Sequence, residues 1–139
     1  MKFILDTCII VDILQKREPF FKDAYSFIQN MIFHRITGIV HTSSITDIHY
    51  ILKKSMKDEA RVRENLKYVF TLFDVVDTTK HDCYEAIFSD TTDYEDAVII
   101  EVAVRLGADA IITRNIKDYQ KSHIPVSTPA DSKDFFRRS

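Results

Sequence analysis

Apolar residues fall into two patterns along this chain. Short unbroken runs, such as Phe3-Ile4-Leu5 and Ile111-Ile112, stand between longer stretches where apolar positions recur every three or four residues. Unbroken runs of this length mark strands covered on both faces, and the longer period marks helices packed along one side. The chain therefore predicts a strand over 2–6, helices over 8–16 and 20–35, a strand over 38–42, helices over 44–57 and 59–71, and a strand over 73–76. Helices over 80–90 and 93–106 follow, then a strand over 109–113, a short turn and a weak strand near 124–127. Short strands alternating with helices define an α/β architecture with a mostly parallel sheet. Pro19 marks the break between the first two helices, near the first turn of the second. Gly107 is placed for a left-handed cap after helix 93–106, and Gly38 ends the second helical region before its strand.

The 139 residues read as one domain, and at 45% hydrophobic they can build a substantial core. No repeat, low-complexity tract or linker divides them. The apolar N-terminal run is interrupted by Asp6 and Asp12, and no small-residue cleavage site follows. No segment approaches the roughly 20 apolar residues that span a bilayer. A soluble, cytoplasmic protein with no membrane contact is expected. Cys8 and Cys83 form no CxxC pair and are expected to be reduced thiols. The net charge of -2 argues against broad, nonspecific binding to a nucleic-acid backbone. It leaves room for a local basic rim around an acidic centre.

Such a centre is suggested by Asp6, Asp47, Asp96 and Asp118, each near a predicted strand end or in the first turn of a predicted helix. In open α/β sheets, ligands bind beyond the carboxyl ends of the strands. Each acid also has a structural reading. Asp6 could cap the helix starting near Cys8, although Thr7 could do so alone. Asp47 closes the segment Ser44-Ile45-Thr46-Asp47, which resembles a capping box. Thr92 and Glu95 form a good capping box, and they leave Asp96 facing inward with Ala97 and Ile100. A lone buried carboxylate is costly, and a metal ion is the economical partner. Asp93, one turn earlier, is either the helix cap or an acid supporting the site from behind. Asn115 and Asp118 both leave the fourth long strand and either can reach the site.

The donor types select the metal. Carboxylates without clustered His or Cys suit Mg²⁺ or Mn²⁺ rather than Zn²⁺, and the five histidines are dispersed. Such an ion suits phosphodiester hydrolysis, where it neutralises phosphate and lowers the pKa of a water. Arg114 and Lys117 are the candidate phosphate contacts. Lys53, Lys54, Lys57, Arg61, Arg63 and Lys67 lie on the two helices after Asp47, as a substrate track or as a solvated face.

Leu5-Asp6-Thr7, the segment from Ser43 to Leu52, Asp93-Tyr94-Glu95-Asp96-Ala97, and Ile112-Thr113-Arg114-Asn115 with Asp118-Tyr119 together resemble the PIN domain. This is the fold of metal-dependent ribonucleases that includes VapC-type toxins. The resemblance implies a three-layer α/β/α sandwich and an acidic Mg²⁺ or Mn²⁺ site that cuts RNA to 5′-phosphate and 3′-hydroxyl ends. It implies metal binding by Asp6 and Asp96, with Asp47 and Asp118 completing the shell and Thr113 orienting a carboxylate or water. Many relatives carry Asp where this chain has Asn115, Glu where it has Asp47, and Asn where it has Cys8. The resemblance further implies a homodimer held inactive by a small antitoxin. The alternative is a non-catalytic RNA- or protein-binding module on the same fold. A phosphatase using Asp6 as nucleophile fails on inspection, because Cys8 stands where a second Asp is needed. A Cys8-based phosphatase fails likewise, with Leu14 in place of the required Arg.

Overall fold

A computed structural model describes residues 1–137. Its elements are β1 (Lys2–Leu5), α1 (Thr7–Leu14), α2 (Phe21–Phe33), β2 (Thr37–His41), α3 (Thr42–Met56), α4 (Glu59–Leu72), β3 (Asp74–Val76), α5 (Lys80–Ala86), α6 (Tyr94–Leu106), β4 (Ala110–Ile112), a 3₁₀ turn (Ile116–Tyr119), β5 (Val126–Ser127) and α7 (Lys133–Phe136). The five strands form one sheet in the order β3-β2-β1-β4-β5. Every adjacent pair is parallel. The α/β expectation is met, and the sheet is wholly parallel among the described residues. The 3₁₀ turn and α7 were not legible as elements. Helix 80–90 is shorter than its pattern, ending at Ala86.

Alternation along β1 creates the layers. Phe3 and Leu5 point to one face and join Ile9, Phe27, Ile48, Leu52, Val62 and Phe136 in a core beneath α1–α4 and α7. Ile4 points to the other face and packs with Ile39, Ile111, Ala97, Val102 and Ala103 beneath α5 and α6. β1 is central and fully buried, so Asp6 leaves the sheet at its middle. The N–H of Asp6 donates to Ile112 O at 2.9 Å, which carries the β1–β4 pairing one residue further.

The two glycines work differently from one another. Gly107 has φ +63°, and Ala108 N–H returns to Ala103 O at 2.9 Å, closing α6 as expected. Gly38 is not a helix end: it lies inside β2, where a Cβ would run into Met31 of α2 and come within 3.1 Å of the Phe73 ring. It is the close approach of α2 that excludes a side chain there. Arg105 near the end of α6 grips buried Asp82 through Nε at 3.0 Å and Nη2 at 2.9 Å, tying α6 to α5. No described helix is long and apolar enough to cross a membrane.

Candidate functional site

The carboxyl ends of β1, β2 and β4 and the N-termini of α3 and α6 meet at one edge. Asp6 occupies the N-cap position of α1, yet its side chain makes no capping hydrogen bond. Its Oδ2 accepts instead from Thr113 Oγ1 at 2.8 Å, across the β1–β4 junction. Thr113 in turn accepts from Asn115 N–H at 3.0 Å, so the turn after β4 fixes the hydroxyl that holds Asp6. Thr7 donates to Ser44 Oγ at 3.1 Å, joining α1 to α3.

Asp96 lies in the first turn of α6 and is buried. Its Oδ1 accepts from Tyr119 Oη at 3.0 Å. Tyr119 is itself 2% exposed, and its hydroxyl also faces Asp6. The Tyr119 hydroxyl thus donates to Asp96 and lies beside Asp6. Burial pushes the Asp96 carboxyl up to about 7, with the neighbouring Asp6 and Asp93 charges adding to it. Burial likewise raises Asp6, against the opposing hydrogen bond from Thr113. Burial raises the Cys8 thiol to about 11, with Asp6 reinforcing it, and Cys8 Sγ stands 3.9 Å from Thr113 Oγ1. Both cysteines are free, as expected.

The other expected acids do not close around this pair. Among the described residues, no three His, Cys, Asp or Glu side chains stand together as a group able to hold a metal ion. Asp6 and Asp96 stand together as a buried pair, and Asp47 and Asp118 flank it from the two sides. Asp47, part-buried on α3, lines a cleft of about 280 Å³ on the β2 side, with Glu95 in the same lining. Desolvation raises Asp47, and Glu95 is raised by desolvation and then by Asp47 and Asp93. Asp118 is exposed and lines a second cleft, about 310 Å³, with Asp93, Lys117 and Lys121 on the β4 side.

Two capping expectations are overturned. The N-cap of α6 is Asp93, whose Oδ1 accepts from Asp96 N–H at 3.1 Å, rather than Thr92 within a Thr92–Glu95 box. Glu95 is thereby released to the cleft. The segment Ser44–Asp47 is no capping box either, because α3 begins two residues earlier at Thr42. Its N-terminus is capped from outside: Ser43 N–H donates to Thr78 Oγ1 at 3.1 Å. Asp47 therefore has no capping duty.

Arg114, expected to face phosphate, is committed elsewhere. Its Nε lies 2.6 Å from Oδ2 of Asp12, a fully buried side chain, and its guanidinium sits 3.9 Å from the Phe20 ring centre. Lys117 stays exposed in the β4-side cleft. Asp12, Tyr119 and Glu95 were missed as contributors. Asp12 carried one signal, an acid following the apolar run Cys8–Val11, and Tyr119 carried none beyond its place after Asp118. Two basic residues of α4 pair with acids of the same helix, Arg63 with Glu59 and Lys67 with Glu64. His49 bonds Glu59 at 2.8 Å and bridges α3 to α4.

The sheet is wholly parallel among the described residues, and a buried carboxylate pair stands at its carboxyl edge. The donor set fits a hard cation: two buried aspartates, both raised by desolvation, with hydroxyl rather than cationic partners. Mg²⁺ keeps several of its waters and takes only one or two carboxylates, so two acids suffice. The PIN domain family model matches residues 2–117, and the chain belongs to that family. Solved structures similar to it include VapBC-1 from nontypeable Haemophilus influenzae, at 16% identity and TM-score 0.71, covering 93% of this chain and 98% of that one. VapBC2 from Rickettsia felis, bound to a promoter DNA fragment, matches at 19% identity and TM-score 0.69, covering 92% and 98%. VapC20 from Mycobacterium tuberculosis, a sarcin–ricin loop cleaving toxin, matches at 13% identity and TM-score 0.62, covering 78% and 86%. No curated protein matches the chain.

Proposed function

We propose that this protein is a Mg²⁺- or Mn²⁺-dependent endoribonuclease, acting as the toxin of a type II toxin–antitoxin pair. The observation that carries this reading is the Asp6–Asp96 pair, two buried carboxylates with no cationic side chain among the described residues hydrogen-bonded to either. Their mutual repulsion leaves them seeking positive charge. A divalent ion bound there supplies charge for the phosphate and lowers the pKa of a coordinated water.

The chain's own residues set the geometry. Asp6 and Asp96 hold the ion, Thr113 orients Asp6, and Tyr119 orients Asp96. Asp47 and Asp118 stand on the walls of the two clefts that flank the pair. Lys117 is the exposed candidate for a backbone phosphate. Arg114 acts on the site indirectly, through the turn that carries Thr113. The similarity to chains of VapBC complexes supports a small antitoxin as partner, and a homodimer is the expected assembly. The reading is tested by cleavage of single-stranded and structured RNA with Mg²⁺ or Mn²⁺. Wild type cuts, whereas Asp6→Asn and Asp96→Asn do not; equal cleavage by all three sinks the assignment.

A second reading, a non-catalytic RNA- or protein-binding module, draws on one observation: among the described residues, no three His, Cys, Asp or Glu side chains form a group able to hold a metal ion. Calorimetric titration with Mn²⁺ separates the two, since the module requires no metal binding.

A further inference from the structure

Helix α3 carries an exposed stripe that leads away from the acidic edge. Asp47 lines the β2-side cleft from the second turn of this helix. Tyr50 and Lys54 follow three and seven residues later, a spacing that returns to the same helix face. At about 1.5 Å of rise per residue, they stand about 5 and 10 Å further along the axis. Tyr50 is 63% exposed, large and aromatic though it is. Lys54 is exposed, and its Nζ lies 5.2 Å from the centre of the Tyr50 ring. Beyond that contact, neither side chain makes a hydrogen bond or ion pair among the described residues.

The end of the stripe is open positive charge. Lys57, one position past the helix, is also exposed. The acids nearby are occupied: Asp58 caps α4 through Ala60 N–H, and Glu59 bonds His49. Cations suit a helix C-terminus, which accounts for Lys54 and Lys57. It does not account for an aromatic ring held in water between them and the acidic edge. A nucleic-acid strand alternates flat bases with charged phosphates. Sites that bind single strands meet it with an exposed ring for the base and a cation for the phosphate. The stripe presents ring and cation in that order, and it begins beside the candidate metal site. An acidic peptide matches the lysines alone.

We propose that this stripe of α3 binds the RNA strand on one side of the cleaved bond. A base stacks on the open face of Tyr50, and Lys54 pairs with the phosphate next to it. Asp47 keeps its place in the acidic site and marks where the stripe begins. The basic run of α3 and α4 thereby divides. Lys54 and Lys57 serve the strand, while Lys53 stands by Glu59, and Arg63 and Lys67 pair within α4. The proposal rests on the nuclease reading for its position beside a cleaved bond, but strand binding can be measured without cleavage.

The test is fluorescence anisotropy of a short, labelled adenosine oligoribonucleotide carrying one 2-aminopurine, titrated with metal-free protein. Wild type binds it and quenches the 2-aminopurine. Tyr50→Ala weakens binding about tenfold and loses the quench, and Tyr50→Phe, which keeps the ring, stays near wild type. Lys54→Gln lowers the slope of log affinity against log salt by about 0.7, the loss of one phosphate contact on a single strand. Equal affinity for wild type and Tyr50→Ala overturns the proposal, as does an unchanged slope in Lys54→Gln. Sedimentation covers the competing occupant. An oligomer that Tyr50→Ala dissociates with RNA affinity intact gives the stripe to a protein chain and overturns the proposal. If Mg²⁺ and Mn²⁺ produce no cleavage while both variants weaken binding, the nuclease reading fails and the strand site stands. If Tyr50→Ala does not fold, the Lys54→Gln slope decides.

Discussion

At the scale of single residues, the site is a contest between desolvation and charge, and Asp96 shows it most directly. Its carboxyl titrates near 7 in the fold against about 3.9 for an unperturbed Asp. Between these values the folded state binds more protons than the unfolded one, so stability falls as pH rises through this window. Below pH 4 the group is neutral in both states and its penalty vanishes. Asp96→Asn removes the charge and keeps an acceptor for Tyr119. The variant is expected to melt above wild type at pH 8 without metal and level with it at pH 4, as read by thermal denaturation across pH. Mn²⁺ reverses the order at pH 8, since only wild type keeps both carboxylates. Thr113→Val deletes the hydroxyl that holds Asp6 at almost constant volume. It is expected to weaken Mn²⁺ affinity about tenfold, within the range for loss of a residue that orients a ligand, as measured by calorimetry. Asp6 and Asp96 were legible in the sequence because capping explained them poorly. Tyr119 was not, since an aromatic after a polar turn looks like core until its hydroxyl is seen against two carboxylates.

At the scale of elements, helix starts decide which acids are free. Asp47 and Glu95 both seemed to belong to local capping boxes, and both are released because the caps come from Thr78 and Asp93. Local sequence offers several plausible caps within a few residues, and only packing chooses among them. Thr78 sits 35 residues from the N–H it serves, so no window of sequence could assign it. The Asp12–Arg114 pair has the same character, joining α1 to the exit of β4. Asp12→Ala leaves the guanidinium without its buried partner and is expected to cost about 3 kcal/mol in urea unfolding. Asp12→Asn, which keeps one acceptor, should cost less. The αL position at the end of α6 was readable from sequence, because glycine relieves the Cβ clash there. Gly107→Ala should cost about 1 kcal/mol in the same measurement.

At the scale of the whole molecule, the sheet order β3-β2-β1-β4-β5 puts β1 between the two strands whose exits build the clefts. Asp6 ends the middle strand, His41 ends one neighbour, and Thr113 follows the other. On the proposed reading, a metal held by Asp6 and Asp96 would join α1, α6 and the sheet, so binding it would stabilise the whole fold. At a free concentration 100 times its dissociation constant, the ion is expected to add about 2.7 kcal/mol to wild type. Asp6→Asn should lose most of that gain, and a calorimetric melt with and without Mn²⁺ gives the comparison. An equal gain in both proteins places the ion elsewhere.

The sequence by itself determined the α/β class, the parallel strands and the two acids at the sheet edge. These follow from hydrophobic period and from the cost of a lone buried charge, both of which act over a few residues. Tertiary structure alone decided which acids stand together, that His41 meets Thr78, and that Arg114 serves Asp12. Each of those depends on partners 23 to 107 residues apart, brought together only when the strands pair.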